Sequence, residues 1–153
     1  TCALPILRDS IELATRFIFR LLEEGNVKLK FRDDVKMKIA YHTPCHMEKL
    51  GWAYYSIALL RSIPNINLTV LNSQCCGIAG TYGFKKENYE TSQGIGASLF
   101  RQIEEVAADF VATDCETCKW QIEMSTPAKV KHPISILAEA LDLEATRKLN
   151  SDK

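Results

Sequence analysis

Charge of one sign is what this sequence lacks first. Lys plus Arg and Asp plus Glu both number 19, so the formal net charge is zero. Nothing therefore suggests a basic nucleic-acid face or a polyanionic tail. No apolar run reaches the roughly 18 to 20 residues that cross a bilayer as a helix. Residues Thr1 to Ser10 lack the basic start and long apolar core of a secretion signal. The sequence opens without methionine, mid-pattern, which reads as a fragment or a processed product. Six cysteines in 153 residues are too few for a disulfide scaffold. The apolar share of 46% and charged share of 25% suit one globular domain with a true core.

What is present is sulfur in groups. Five of the six cysteines fall in three short clusters: Cys45 within His42-Thr43-Pro44-Cys45-His46, the adjacent pair Cys75-Cys76, and Cys115-Glu116-Thr117-Cys118. A glycine-loose loop, Gly77-Ile78-Ala79-Gly80-Thr81-Tyr82-Gly83, follows the pair. Cys2 stands apart.

Residues 6 to 23 have helical spacing, with an apolar arc (Ile6 to Leu22) wider than one stripe requires. Such a helix packs on this domain, on a preceding one, on a partner or on a membrane surface, the first two being favoured. Lys28 to Asp34 reads as a solvated, charged linker. An alternation then begins: strand Met37–Tyr41, helix Glu48–Ile63, strand Asn67–Leu71, helix Lys86–Val106, strand Asp109–Thr113 and a short helix Glu116–Met124. Lys129–Lys131 is a small fourth strand, and Pro133 opens a last helix, Ile134–Leu143. Gly94 and Gly96 in the long helix predict a close approach by a neighbour. The tail from Glu144 reads as polar and fraying.

This order predicts an α/β fold, with a three- to four-stranded, mostly parallel sheet and flanking helices. In such open sheets the working site lies beyond the carboxyl ends of the strands. All three cysteine clusters fall at those ends, so distant segments deliver thiols to one edge.

Thiolates bind soft metals and iron–sulfur clusters, and helix N-termini lower thiol pKa values. Helices starting beside Cys45 and Cys115, and the cations Lys49, Lys85, Lys86 and Lys119, offset negative charge there. Gly77 and Gly80 let backbone N–H groups approach a bound cofactor. Zinc is the alternative, with His42 and His46 as further donors, and so is a dithiol pair at Cys115 and Cys118. A phosphate cradle is disfavoured: the glycine spacing is not GxGxxG, and no GK[ST] follows.

The wording around Cys45, Cys75-Cys76-Gly77 and Cys115-x-x-Cys118 resembles the CCG cysteine-rich domain family. That domain occurs in heterodisulfide reductases, glycolate oxidase iron–sulfur subunits, lactate-utilisation proteins and succinate-type reductases. Within it, the sequence is most similar to the iron–sulfur subunits of anaerobic glycerol-3-phosphate dehydrogenases. The resemblance implies an electron-transfer module whose metal ligands are Cys45, Cys75, Cys76, Cys115 and Cys118. It implies an iron–sulfur cluster there, [4Fe–4S] and of non-cubane type. The implied partners are flavin-containing dehydrogenase subunits, which carry the catalytic site, and a membrane quinone. The implied place is peripheral, on the cytoplasmic face of the bacterial inner membrane. The resemblance also divides the chain: 1–34 ends a preceding repeat, with a helix and linker; 35–146 is the cysteine-rich domain; 147–153 is a tail. Two alternatives stay open, a zinc-stabilised docking module and a thiol or heterodisulfide reductase fragment.

Overall fold

The computed structural model describes residues 11–151. Four parallel strands form one sheet in the order β2-β1-β3-β4: β1 (Met37–Tyr41), β2 (Ile66–Val70), β3 (Phe110–Ala112) and β4 (Val130–Lys131). β1 pairs with β2 from Met37↔Ile66 to Tyr41↔Val70, and with β3 from Ile39↔Phe110 to Tyr41↔Ala112. Chain direction from β1 thus goes one way to β2 and then back past β1 to β3. That reversal is the crevice where open α/β sheets hold their ligands.

The strands alternate their side chains between two cores, as the pleat requires. Ala40 and Val111 face Leu99, Phe100 and Ile103 of α4 (Tyr89–Val106) and Ile122 of α5 (Glu116–Ser125). Ile39, Tyr41 and Ala112 face Leu59 and Leu60 of α3 (Ala53–Arg61) and Ile136, Leu137 and Ala140 of α6 (Pro133–Ala140). These buried apolar faces carry the fold's stability, at about 25 cal/mol per Å² removed from water.

Several boundaries differ from the sequence expectation. The helix expected over Glu48–Ile63 is two: α2 (Cys45–Leu50) ends at Gly51, whose φ of +66° makes a left-handed cap, and α3 follows. The early helix is α1 (Ala14–Glu23), and its expected start at Ile6 lies outside the described residues. It packs on this domain: Ile18, Phe19 and Leu22 join the second core, and Phe19 lies 5.5 Å from both Tyr54 and Tyr55.

Lys28–Asp34 is a pinned strap, not a solvated linker. Leu29 and Phe31 pack on the core, Val35 is buried, and Arg32 N–H donates to the Ala140 carbonyl at 3.0 Å. The polar tail is ordered as α7 (Leu143–Asn150), capped by Asp142 accepting from Ala145 N–H. Asn150 and Thr146 of α7 each accept from and donate to the strap, at Lys28 and Lys30 respectively. Exposed charges on the strap concealed a backbone that is paired at Lys28, Lys30 and Arg32. Among the described residues no helix is long and apolar enough to cross a membrane.

Candidate metal centre

Each cysteine cluster stands beyond a strand's carboxyl end. Cys45 is the first residue of α2 after β1, Cys75 and Cys76 follow β2, and Cys115 is the N-cap of α5 after β3. The sulfur atoms gather. Cys76 and Cys118 are buried, with their Sγ atoms 3.2 Å apart. Cys45 senses Cys75 and Cys76, while Cys115 is hydrogen-bonded by Cys118. All five thiols are free and form one connected group, with Cys76 and Cys118 sealed from solvent. Of the sixth, Cys2, nothing is described.

Proton affinity is unevenly divided within the group. Cys118 sits between two acceptors, so Cys115 first and Cys76 second hold its thiol protonated, pushing its pKa up. Cys118 donates in return: it lowers Cys76 to about 5, with help from His42 and the Ile78 N–H. It lowers Cys115 to about 4, with Thr117 and backbone N–H groups at the start of α5 adding to this. Cys45 behaves otherwise. A helix N-terminus is expected to lower its pKa; burial and then the neighbouring Cys75 and Cys76 raise it instead. Crowded sulfur outweighs the helix end there.

The loop after the pair is clamped to the protein. Gly77 has φ +89°, and a Cβ there would lie 2.0 Å from the Ser92 carbonyl of α4. Gly96 admits the Cys76 carbonyl, which a Cβ would meet at 2.6 Å, whereas nothing approaches Gly94. Glycine at 77 and 96 therefore lets the cysteine loop lie against a helix backbone; the expectation for Gly94 was wrong. Gly80 (φ +67°) has open space around it. Gly77 N–H does reach sulfur, donating to Cys75 Sγ at 3.3 Å.

A buried polar strut fixes this loop. Gln121 Nε2 donates to Ser92 Oγ at 2.9 Å, and Ser92 Oγ donates to the Gly77 carbonyl at 2.9 Å. Gln121 lies one turn beyond Cys118 on α5, so the strut links the two segments that carry the closest sulfurs. A second group braces the opposite side. Asp114, whose side chain is 5% exposed, accepts from Tyr41 and Ser56 at 2.6 Å each, with His132 Nε2 at 3.9 Å. His132 Nδ1 accepts the Ile134 N–H, which leaves its Nε2 to carry the proton toward Asp114. Burial and the Asp114 charge push the Tyr41 pKa up.

Ser92, Gln121, Asp114, Tyr41 and Ser56 were not singled out by the sequence. Their partners lie 15 to 73 residues away, and single polar residues in a helix or strand carry no such signal. Of the four lysines expected to offset charge, Lys119 is engaged by Glu116 at 3.2 Å.

Soft sulfur donors, lowered thiol pKa values and a buried imidazole suit a thiophilic metal or an iron–sulfur cluster. The ligand atoms of His42, Cys76 and Cys118 all lie within 4.8 Å of one another.

The family model of the CCG cysteine-rich domain matches residues 39–123, from β1 through Cys118 and most of α5. The chain belongs to the CCG cysteine-rich domain family. Its matched region contains all five thiols of the site. Among curated CCG relatives, a subunit of the anaerobic glycerol-3-phosphate dehydrogenase of Escherichia coli (strain K12) is 67% identical over 136 residues, 88% of this chain and 34% of that protein. An uncharacterized iron–sulfur protein of Methanocaldococcus jannaschii is 34% identical over 107 residues, 69% of this chain and 21% of that protein. D-2-hydroxyglutarate dehydrogenase of Escherichia coli (strain K12) is 31% identical over 68 residues, 44% of this chain and 7% of that protein. This CCG chain spans about a third of the length of the glycerol-3-phosphate dehydrogenase relative.

Proposed function

We propose that this domain is the iron–sulfur electron-transfer module of a respiratory dehydrogenase complex, passing electrons from glycerol 3-phosphate oxidation towards membrane quinone. The gathering of five thiols from three strand ends carries this reading, and the likeness to a glycerol-3-phosphate dehydrogenase supports its substrate. Cys45, Cys75, Cys76, Cys115 and Cys118 are the ligands in this reading, of a [4Fe–4S] centre of non-cubane type. Such a cluster, when bound, accepts and releases single electrons.

The chain's own residues prepare for that role. Cys76 and Cys115 are thiolates at neutral pH, ready to bind metal without waiting for a proton to leave. Gly77 N–H, already on Cys75 Sγ, moderates the charge on sulfur and so its potential. Gly80, with open space around it, is the second glycine offered to the cofactor. The Gln121–Ser92–Gly77 strut and the Asp114 group hold the loop ends still, which keeps reorganisation between charge states small.

In the same reading the catalytic flavin site belongs to partner subunits, and the assembly sits peripherally on the cytoplasmic face of the bacterial inner membrane. Residues 1–34 close a preceding repeat of the longer protein, 35–146 form the cysteine-rich domain, and 147–153 are its tail.

The test is anaerobic purification of the full-length protein, with iron and acid-labile sulfide measured beside a paramagnetic resonance spectrum. Iron and sulfide in cluster proportion, with a signal that responds to dithionite, are expected. Colourless protein holding one zinc and no redox response would select the zinc-stabilised docking module, which the His42, Cys76 and Cys118 arrangement favours as the second reading.

A further inference from the structure

We propose that His42 is a nitrogen donor to the metal centre, making the set imidazole plus thiolate in place of sulfur alone. This rests on reading the thiol group as a metal site, and adds to it a ligand outside the five cysteines.

Three observations carry it. His42 is 1% exposed, and its Nε2 is buried with no hydrogen-bond partner among the described residues. Leaving such a nitrogen unsatisfied costs about 1–3 kcal/mol, so a buried imidazole in this state needs something to complete it. What lies within reach is sulfur: a ring nitrogen of His42 and the Sγ atoms of Cys76 and Cys118 are mutually within 4.8 Å. The backbone is fixed as well. His42 N–H donates to the Ala112 carbonyl at 2.9 Å, which extends the β1–β3 ladder by one residue and holds the ring over the crevice.

The other two histidines are differently placed. His46 is exposed on α2, and His132 caps α6 with Nδ1 while its Nε2 faces Asp114. Imidazole is a good ligand for iron and zinc alike, and mixed nitrogen and sulfur sets are common for both. A rival arrangement keeps the nitrogen off the metal, as an N–H donated to a thiolate sulfur. The test separates the two.

Full-length protein labelled with 15N-histidine is reduced anaerobically and divided. One part is reconstituted with iron and sulfide, the other loaded with Co2+. Pulsed paramagnetic resonance on each then reads nitrogen coupling to the metal, which needs no variant. We expect strong coupling that changes with the isotope and disappears in His42→Ala, while His46→Ala retains it. Co2+ affinity falls about 10- to 100-fold in His42→Ala, and His42→Cys recovers affinity without the nitrogen signal.

Metal-loaded protein with only weak coupling, or coupling unchanged in His42→Ala, overturns the donor role and leaves the iron–sulfur reading standing. Protein that shows His42-dependent coupling to Co2+ but takes up no iron and sulfide supports the donor role and sinks the iron–sulfur reading. Uptake of neither metal overturns both.

Discussion

The two edges of the sheet treat polar groups differently. At the amino edge every named group is answered: Asp109 accepts Lys38 N–H at 2.8 Å, and Lys38 Nζ donates to the Val106 carbonyl. At the carboxyl edge, His42 Nε2 and Thr113 Oγ1 are buried without partners, and thiol pKa values are driven apart. Folding alone accounts for the first edge. The second is complete only with something added, and that contrast locates the site more firmly than any motif.

The contrast is broken most severely by removing sulfur. Cys76→Ser or Cys118→Ser abolishes iron retention after anaerobic reconstitution, whereas Asp109→Asn at the other edge leaves it intact; iron per chain is the measurement. Retention in Cys76→Ser would separate the buried pair from the metal.

Next in size is Gly77→Ala. A Cβ 2.0 Å from a helix carbonyl, at φ +89°, forces the cysteine loop off α4. The expected loss is about 3–4 kcal/mol in urea unfolding, while Gly94→Ala changes stability by under about 1 kcal/mol, with a gain expected.

A smaller difference sharpens the comparison between two aspartates. Asp114→Asn weakens two short hydrogen bonds to a buried charge, for a loss of about 2 kcal/mol; Asp109→Asn, with one exposed acceptor, loses less than about 1 kcal/mol. Equal losses would mean that the buried group gives no special support.

The mildest effect is kinetic. In metal-free, reduced protein, pH 6 lies above the Cys115 pKa of about 4, so that residue is a thiolate, while Cys45, with a raised pKa, keeps its proton. Iodoacetamide should therefore label half-buried Cys115 about tenfold faster than exposed Cys45. Raising the pH beyond the ordinary thiol range brings Cys45 up and narrows the gap, as read by peptide mass spectrometry.

Much of this was legible in the sequence because strand and helix alternate with clear periods. β1 to β4 fall within a residue or so of expectation, and the thiols converge where the alternation says they must. Local signals failed where backbone and side chain tell different stories. Lys28–Asp34 carries exposed charges over a paired backbone, and the polar tail is a helix held by Asn150 and Thr146. Gly51 marked the break between α2 and α3, but the apolar spacing on either side hid it. The bracing of the site was not legible at all. Asp114 meets Tyr41 and Ser56 only because three elements converge, and Ser92 and Gln121 look like ordinary helix-surface residues until α4 and α5 pack.

The most direct test of a shared centre is iron K-edge X-ray absorption on anaerobically purified protein. A first shell dominated by sulfur, with a second shell of iron, is what the converging thiols predict. A shell of oxygen and nitrogen without an iron neighbour would contradict it, showing that the five cysteines meet without holding a cluster.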